Sequence, residues 1–76
     1  MIRYDEHAEF QIERRGIEKA WVEDTILHPD ATEMRGRRLS YLKCLPGRRI
    51  MLRVVTADDD PRYVITAFFD RKYPCA

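Results

Sequence analysis

The hydrophobic period of this chain changes once, at Pro29. Upstream the apolar residues recur at helical spacing, and Asp5 is placed to cap a helix over Glu6–Arg15. Its acids come early and Arg14-Arg15 come late, as the helix macrodipole favours, and Gly16 can end it in the left-handed conformation. A second helix is expected over Glu18–Leu27, with Val22, Ile26 and Leu27 on one side and Trp21 beside them. Pro29 restricts His28 and stops that helix. Residues 1–4 read as a short strand that precedes both helices.

Downstream of Pro29 the period is that of strands. Ala31–Arg35, Leu39–Leu45, Ile50–Ala57 and Tyr63–Phe69 are separated by turns at Gly36, Pro46-Gly47 and Asp58–Pro61. The expected fold is α+β: a short N-terminal strand, two helices, then a four-strand antiparallel meander. Seventy-six residues make one domain, 1–76, too short for a Rossmann fold or a TIM barrel. A hairpin centred between Asp59 and Asp60 would oppose Val54 to Ile65, Leu52 to Ala67, Arg53 to Thr66, Val55 to Val64 and Met51 to Phe68. The helices would cover the Leu52/Ile65 side and leave Arg53 and Thr66 on an open face, because a one-residue slip would bury an arginine.

The net charge of +1 conceals a strong segregation. Residues 1–33 carry nine acids and four bases, residues 34–57 carry seven bases and no acid, and the remainder sums to −1. Six of the seven central bases are arginine, whose planar fork suits phosphate better than the point charge of lysine. Two readings stand: a sheet surface that faces a polyanion, or exposed strands made soluble by arginine.

Cys44 and Cys75 are too few for a disulfide-stapled mini-domain and lack metal-ligand spacing, so free thiols in a reducing cytoplasm are expected. Cys44 sits in an apolar run and should be packed, and Cys75 near the chain end should be exposed. His7 and His28 stand apart from both, which leaves no zinc motif and no implied cofactor. There is no apolar run near the ~20 residues that cross a bilayer and no signal-peptide pattern after Met1. A cytoplasmic protein without a membrane partner is therefore expected.

The segments His7-Ala8, Glu13-Arg14-Arg15-Gly16-Ile17 and Pro29-Asp30, with Leu52-Arg53-Val54-Val55 and Val64-Ile65-Thr66-Ala67, resemble a large family of small bacterial domains of unknown function. That family is similar in layout to the RelE/ParE-like and BrnT-like toxins of the barnase/EndoU/RelE-like ribonuclease fold. The resemblance spans roughly residues 4–70. Glu18 departs from it where a capping Ser or Thr is expected, and Phe68 and Phe69 stand where an aromatic hydroxyl often follows the last strand. Tyr73 is the nearby substitute.

The resemblance implies a metal-independent endoribonuclease of the mRNA-interferase type, with RNA, free or on the ribosome, as substrate and an acidic antitoxin as partner. Such chemistry needs groups that exchange protons with the ribose 2′-OH and the leaving 5′-oxygen, and cations for the phosphorane. His7 titrates in the useful range. Arg53 and either Arg14 or Arg15 could supply cations, and Thr66 could bond the phosphate. On a helical wheel Arg14 lies about 20° from His7 and Arg15 about 80°, whereas the family motif points to Arg15. Arg35, Arg37, Arg38, Lys43, Arg48, Arg49, Arg71, Lys72 and Tyr73 are the expected RNA contacts. Each has a plainer reading. His7 could be a surface or capping residue, Arg14 and Arg15 could answer the helix C-terminus, and Arg53 could hold a structural ion pair. The rival class is a non-catalytic module that binds an acidic protein, since ParE-like relatives share this layout and act by binding.

Overall fold

Two isoleucines five residues apart fix how the chain leaves its first helix. Helix α1 runs Glu6–Arg14. Gly16, at φ 68°, donates to Glu13 at 3.1 Å, and Ile17 donates to the carbonyl of Ile12 at 2.9 Å. This is a Schellman closure, sealed by the buried side chains of Ile12 and Ile17. Asp5 starts the helix through its backbone alone. Its carboxylate does not cap the helix but accepts the Tyr63 hydroxyl at 3.0 Å, so it ties the helix entry to the sheet. Helix α2, Lys19–Leu27, also starts without a side-chain cap, at Glu18, and ends before Pro29.

The computed structural model describes residues 2–75. Strands β1 (Arg3–Tyr4), β2 (Ala31–Arg35), β3 (Arg38–Leu45), β4 (Ile50–Ala57) and β5 (Asp60–Asp70) form one sheet in the order β1-β5-β4-β3-β2. The result is a small α+β fold with two helices and a five-strand mixed sheet. It departs from a four-strand antiparallel meander because β1 joins the sheet, parallel to β5. The later strands do pair antiparallel in sequence. No helix among the described residues is long and apolar enough to cross a membrane.

The core lies between the helices and one sheet face, where Ala8, Ile12, Ile17 and Val22 meet Tyr41, Leu45, Leu52, Val54, Val64 and Ala67. Full burial of a side chain the size of Leu52 or Val22 stabilises by about 1.5–3 kcal/mol, so this single cluster is the main favourable term. The other face is not bare. Leu42, Met51 and Val55 are buried there too, around Arg53.

The β4–β5 register differs from the simple hairpin by two residues. Arg53 opposes Phe68, Val55 opposes Thr66, Val54 opposes Ala67 and Leu52 opposes Phe69. A shift of two keeps each of these side chains on its face. The ladder then breaks, because Val55 pairs with Thr66 but Thr56 pairs with Val64, which leaves Ile65 as an extra residue. That bulge is why Val64 enters the helix-side core with Ala67, although simple alternation would put it on the open face.

The cysteines are not free thiols. Cys44 on β3 is bonded to Cys75, and both are half-buried. Spacing alone could not foresee this, because the pairing depends on the tail after β5 folding back beside β3.

Candidate functional site

Strand β1 is only two residues long and covers β5 only at Tyr63 and Val64. Beyond them β5 has an open edge, and α1 closes it with polar side chains. Arg15, the C-cap residue of α1, donates to the carbonyl of Ala67 at 2.8 Å and to Gln11 Oε1 at 3.2 Å. Gln11 Oε1 also accepts the Thr66 hydroxyl at 2.7 Å, and Gln11 Nε2 lies 2.9 Å from His7 Nε2. His7, Gln11 and Arg15 form an i, i+4, i+8 row, the spacing that aligns side chains on one helix face. With the Gln11 amide donating, the neutral His7 ring accepts at Nε2 and carries its proton on Nδ1.

The wheel angle favours Arg14, yet both arginines are exposed, and it is Arg15 that is joined to His7 through Gln11. Gln11 carries no titratable group, so its chemistry alone does not mark it; its spacing of four residues from both His7 and Arg15 does.

Thr66 links the row to the helix-free face. A groove of about 440 Å³ there is lined by Arg35, Arg38, Arg53, Thr66, Phe68 and Lys72, among others. The Arg15 guanidinium lies 6.0 Å from the Phe68 ring centroid, at the limit of a cation–π contact, so it stands close to the groove wall. Thr66 and Phe68 thus bring the His7–Gln11–Arg15 row to one rim of the groove, while Arg35 on β2 and Arg38 on β3 line it from across the sheet.

Arg53 occupies the middle of that groove but is not a free cation. Its Nε donates to Asp70 at 2.9 Å and its Nη1 donates to Glu33 at 3.0 Å. One positive charge is held by two carboxylates. Burial works against charge on Arg53, but the bonds to Glu33 and Asp70 outweigh it and hold the guanidinium above its ordinary pKa. Burial pushes the Asp70 carboxyl up, while the hydrogen bonds from Arg53 and the Lys72 backbone push it down further. The net effect holds it below the usual carboxylate range. Arg53 does not face Thr66 across the ladder, since Phe68 holds that position.

The remaining expected contacts fall in three places. Arg48, Arg49, Arg71 and Tyr73 line a separate cavity by the β3–β4 turn. Arg37 is exposed in the β2–β3 turn. Lys43 stands on the helix side, opposite Leu52, where its ammonium donates to the His28 carbonyl at 2.9 Å at the end of α2.

No curated protein and no solved structure matches the chain. The family described as "Domain of unknown function (DUF4258)" matches residues 4–69, and nothing in that match ties the chain to the RelE/ParE-like or BrnT-like toxins. With nearly its whole length matched, the chain belongs to the DUF4258 family.

Proposed function

We propose that this domain is a toxin-type, metal-independent RNA endonuclease that holds RNA along the helix-free groove and cleaves it at the β5 edge. The observation that carries the reading is the hydrogen-bonded set His7–Gln11–Thr66/Arg15, which joins a proton-exchanging ring to a hydroxyl and a guanidinium beside that groove. In the proposed reaction the ribose 2′-oxygen loses its proton and attacks the adjacent phosphorus. The P–O5′ bond breaks and the leaving oxygen takes a proton, which leaves a 2′,3′-cyclic phosphate and a 5′-hydroxyl. As RNA enters, His7 Nε2 and the Thr66 hydroxyl give up their bonds to Gln11. His7 then takes the 2′ proton and later returns one to the leaving oxygen, Arg15 offsets the phosphorane charge, and Thr66 donates to a phosphate oxygen. Arg35, Arg38 and Lys72 on the groove wall attract the strand. Arg53 acts by holding Glu33 and Asp70 in place and makes no contact with phosphate. The same cationic wall would take an acidic antitoxin.

The test is incubation of RNA with the purified protein in EDTA. Cleavage that is lost in His7→Ala and Arg15→Ala variants of unchanged fold supports the reading. RNA left intact by the parent protein overturns it.

The double ion pair of Arg53 favours a second reading. A groove whose central cation is already matched by carboxylates suits a non-catalytic module whose wall arginines bind an acidic protein. Growth arrest with intact RNA, unchanged by His7→Ala, would select it.

A further inference from the structure

A second cavity, of about 590 Å³, lies where the β3–β4 turn meets the tail after β5. It is lined by Arg48 and Arg49 of the turn and by Arg71, Tyr73 and Cys75 of the tail. We propose that this cavity is a phosphate-binding site whose tail wall is latched shut by the Cys44–Cys75 disulfide.

Arg48, Arg49 and Arg71 line this cavity, and among the described residues none of the three is in an ion pair. Arg48 is held in advance, with its guanidinium 4.9 Å from the Trp21 ring centroid and 5.9 Å from that of Phe69. These contacts hold its charge at the helix-side rim of the cavity, beside aromatic rings instead of a carboxylate. Arg49 is the one non-glycine residue with positive φ among those described, at 54°. Side chains there are uncommon, and the turn holds it through N–H bonds from Arg48 and Arg49 to the Leu45 carbonyl. Among the described residues Asp70 is the only carboxylate lining the cavity, and it is already engaged by Arg53 and by the Lys72 N–H. Three arginines without carboxylate partners among the described residues favour a multiply charged oxyanion, here assigned as a phosphate group.

The latch follows from how the tail is attached. Among the described residues, its backbone bonds run back only to its own root, from Lys72 N–H to the Asp70 carboxylate and from Tyr73 N–H to the Asp70 carbonyl. Among the described residues the disulfide is the covalent link that joins it to β3. A dithiol reductant breaks the Sγ–Sγ bond and supplies two electrons and two protons. Two thiols result and the reductant becomes a cyclic disulfide. Arg71 and Tyr73 then lose their fixed place in the wall.

Calorimetric titration with inorganic pyrophosphate tests both parts without any RNA cleavage, so its outcome is separate from that of the proposed function. Oxidised protein should bind, and R48A/R49A should weaken binding at least about tenfold, the loss expected when charged hydrogen bonds are removed. Dithiothreitol-reduced protein and Cys75→Ser should weaken it comparably with the sheet intact by circular dichroism, while Arg62→Ala near the start of β5, outside both the groove and the cavity, should leave it within about twofold. Equal binding by R48A/R49A overturns the site. Undiminished binding after reduction, or loss of the sheet on reduction, overturns the latch. A single-stranded oligonucleotide that displaces pyrophosphate identifies the ligand as a strand phosphate, and simultaneous binding identifies it as free phosphate.

Discussion

Arg53 and Asp70 are locked together on the helix-free face, with Nε and Nη2 of the guanidinium both 2.9 Å from the same carboxylate oxygen. Glu33 binds the third nitrogen, so the group carries a net charge of −1 when all three are ionised. Arg53 joins the second strand to the end of the fifth.

Removal of the arginine leaves two carboxylates facing each other. Arg53→Ala should destabilise by about 2 kcal/mol in urea unfolding, below the 3–5 kcal/mol of a fully buried pair because Glu33 is partly exposed. Arg53→Lys should recover little of this, since an ammonium cannot bridge both acids. An unchanged midpoint in Arg53→Ala would show the pair to be without consequence.

The same pair sets an acid limit. The folded Asp70 carboxyl sits below its ordinary value of 3.8, so its stabilising contribution is fully present above that value. It is lost as the pH falls through the lowered folded value. In urea melts across acid pH the gap between the parent protein and Asp70→Asn should be constant near neutrality and should close below pH 3.8. A gap that persists at the lowest pH would contradict this.

Tyr4 gives a prediction of opposite sign. Its hydroxyl is buried with no partner among the described residues. Burial first, then the charges of Glu23 and Glu9, push its pKa up to about 12. Tyr4→Phe should leave stability unchanged or raise it by about 1 kcal/mol, because it removes an unsatisfied group. A loss of stability in thermal or urea melts would reveal a partner for that oxygen. In a spectrophotometric titration Tyr4 should ionise near pH 12.

Gln11 has no proton to exchange, yet it joins His7, Arg15 and Thr66. Gln11→Ala should lower RNA cleavage by about 10–100-fold, as expected when an acid–base group and its cation lose their alignment. Its unfolding midpoint should stay close to the parent value. Full cleavage by Gln11→Ala would remove the row from the mechanism.

Much of this architecture is legible in the residues. Gly16 after Arg14-Arg15 marks the end of α1, Pro29 the end of α2, and alternation from Ile50 to Ala57 the central strand. Three things were not, each because it depends on contacts between distant segments. The bulge at Ile65 moves the pairing by one residue and the irregularity between Thr56 and Ala57 supplies the rest of the offset, and a period-two pattern registers neither. The parallel docking of Arg3-Tyr4 on β5 has no local signature. The Cys44–Cys75 bond needs a fold-back across a sequence separation of 31 residues. At the site, His7, Arg15 and Thr66 could be named from the sequence, whereas the capture of Arg53 by Glu33 and Asp70 needed the sheet to bring three strands together.

The proposed reaction uses the ribose 2′-oxygen as its nucleophile, and one comparison tests that directly. A short RNA containing a single cleavage site is incubated in EDTA with the protein, beside the same strand carrying a 2′-deoxy sugar at that site. The account predicts a 2′,3′-cyclic phosphate and a 5′-hydroxyl from the RNA, and no cut in the deoxy strand. Equal cleavage of both strands, or no cleavage of either, would contradict it.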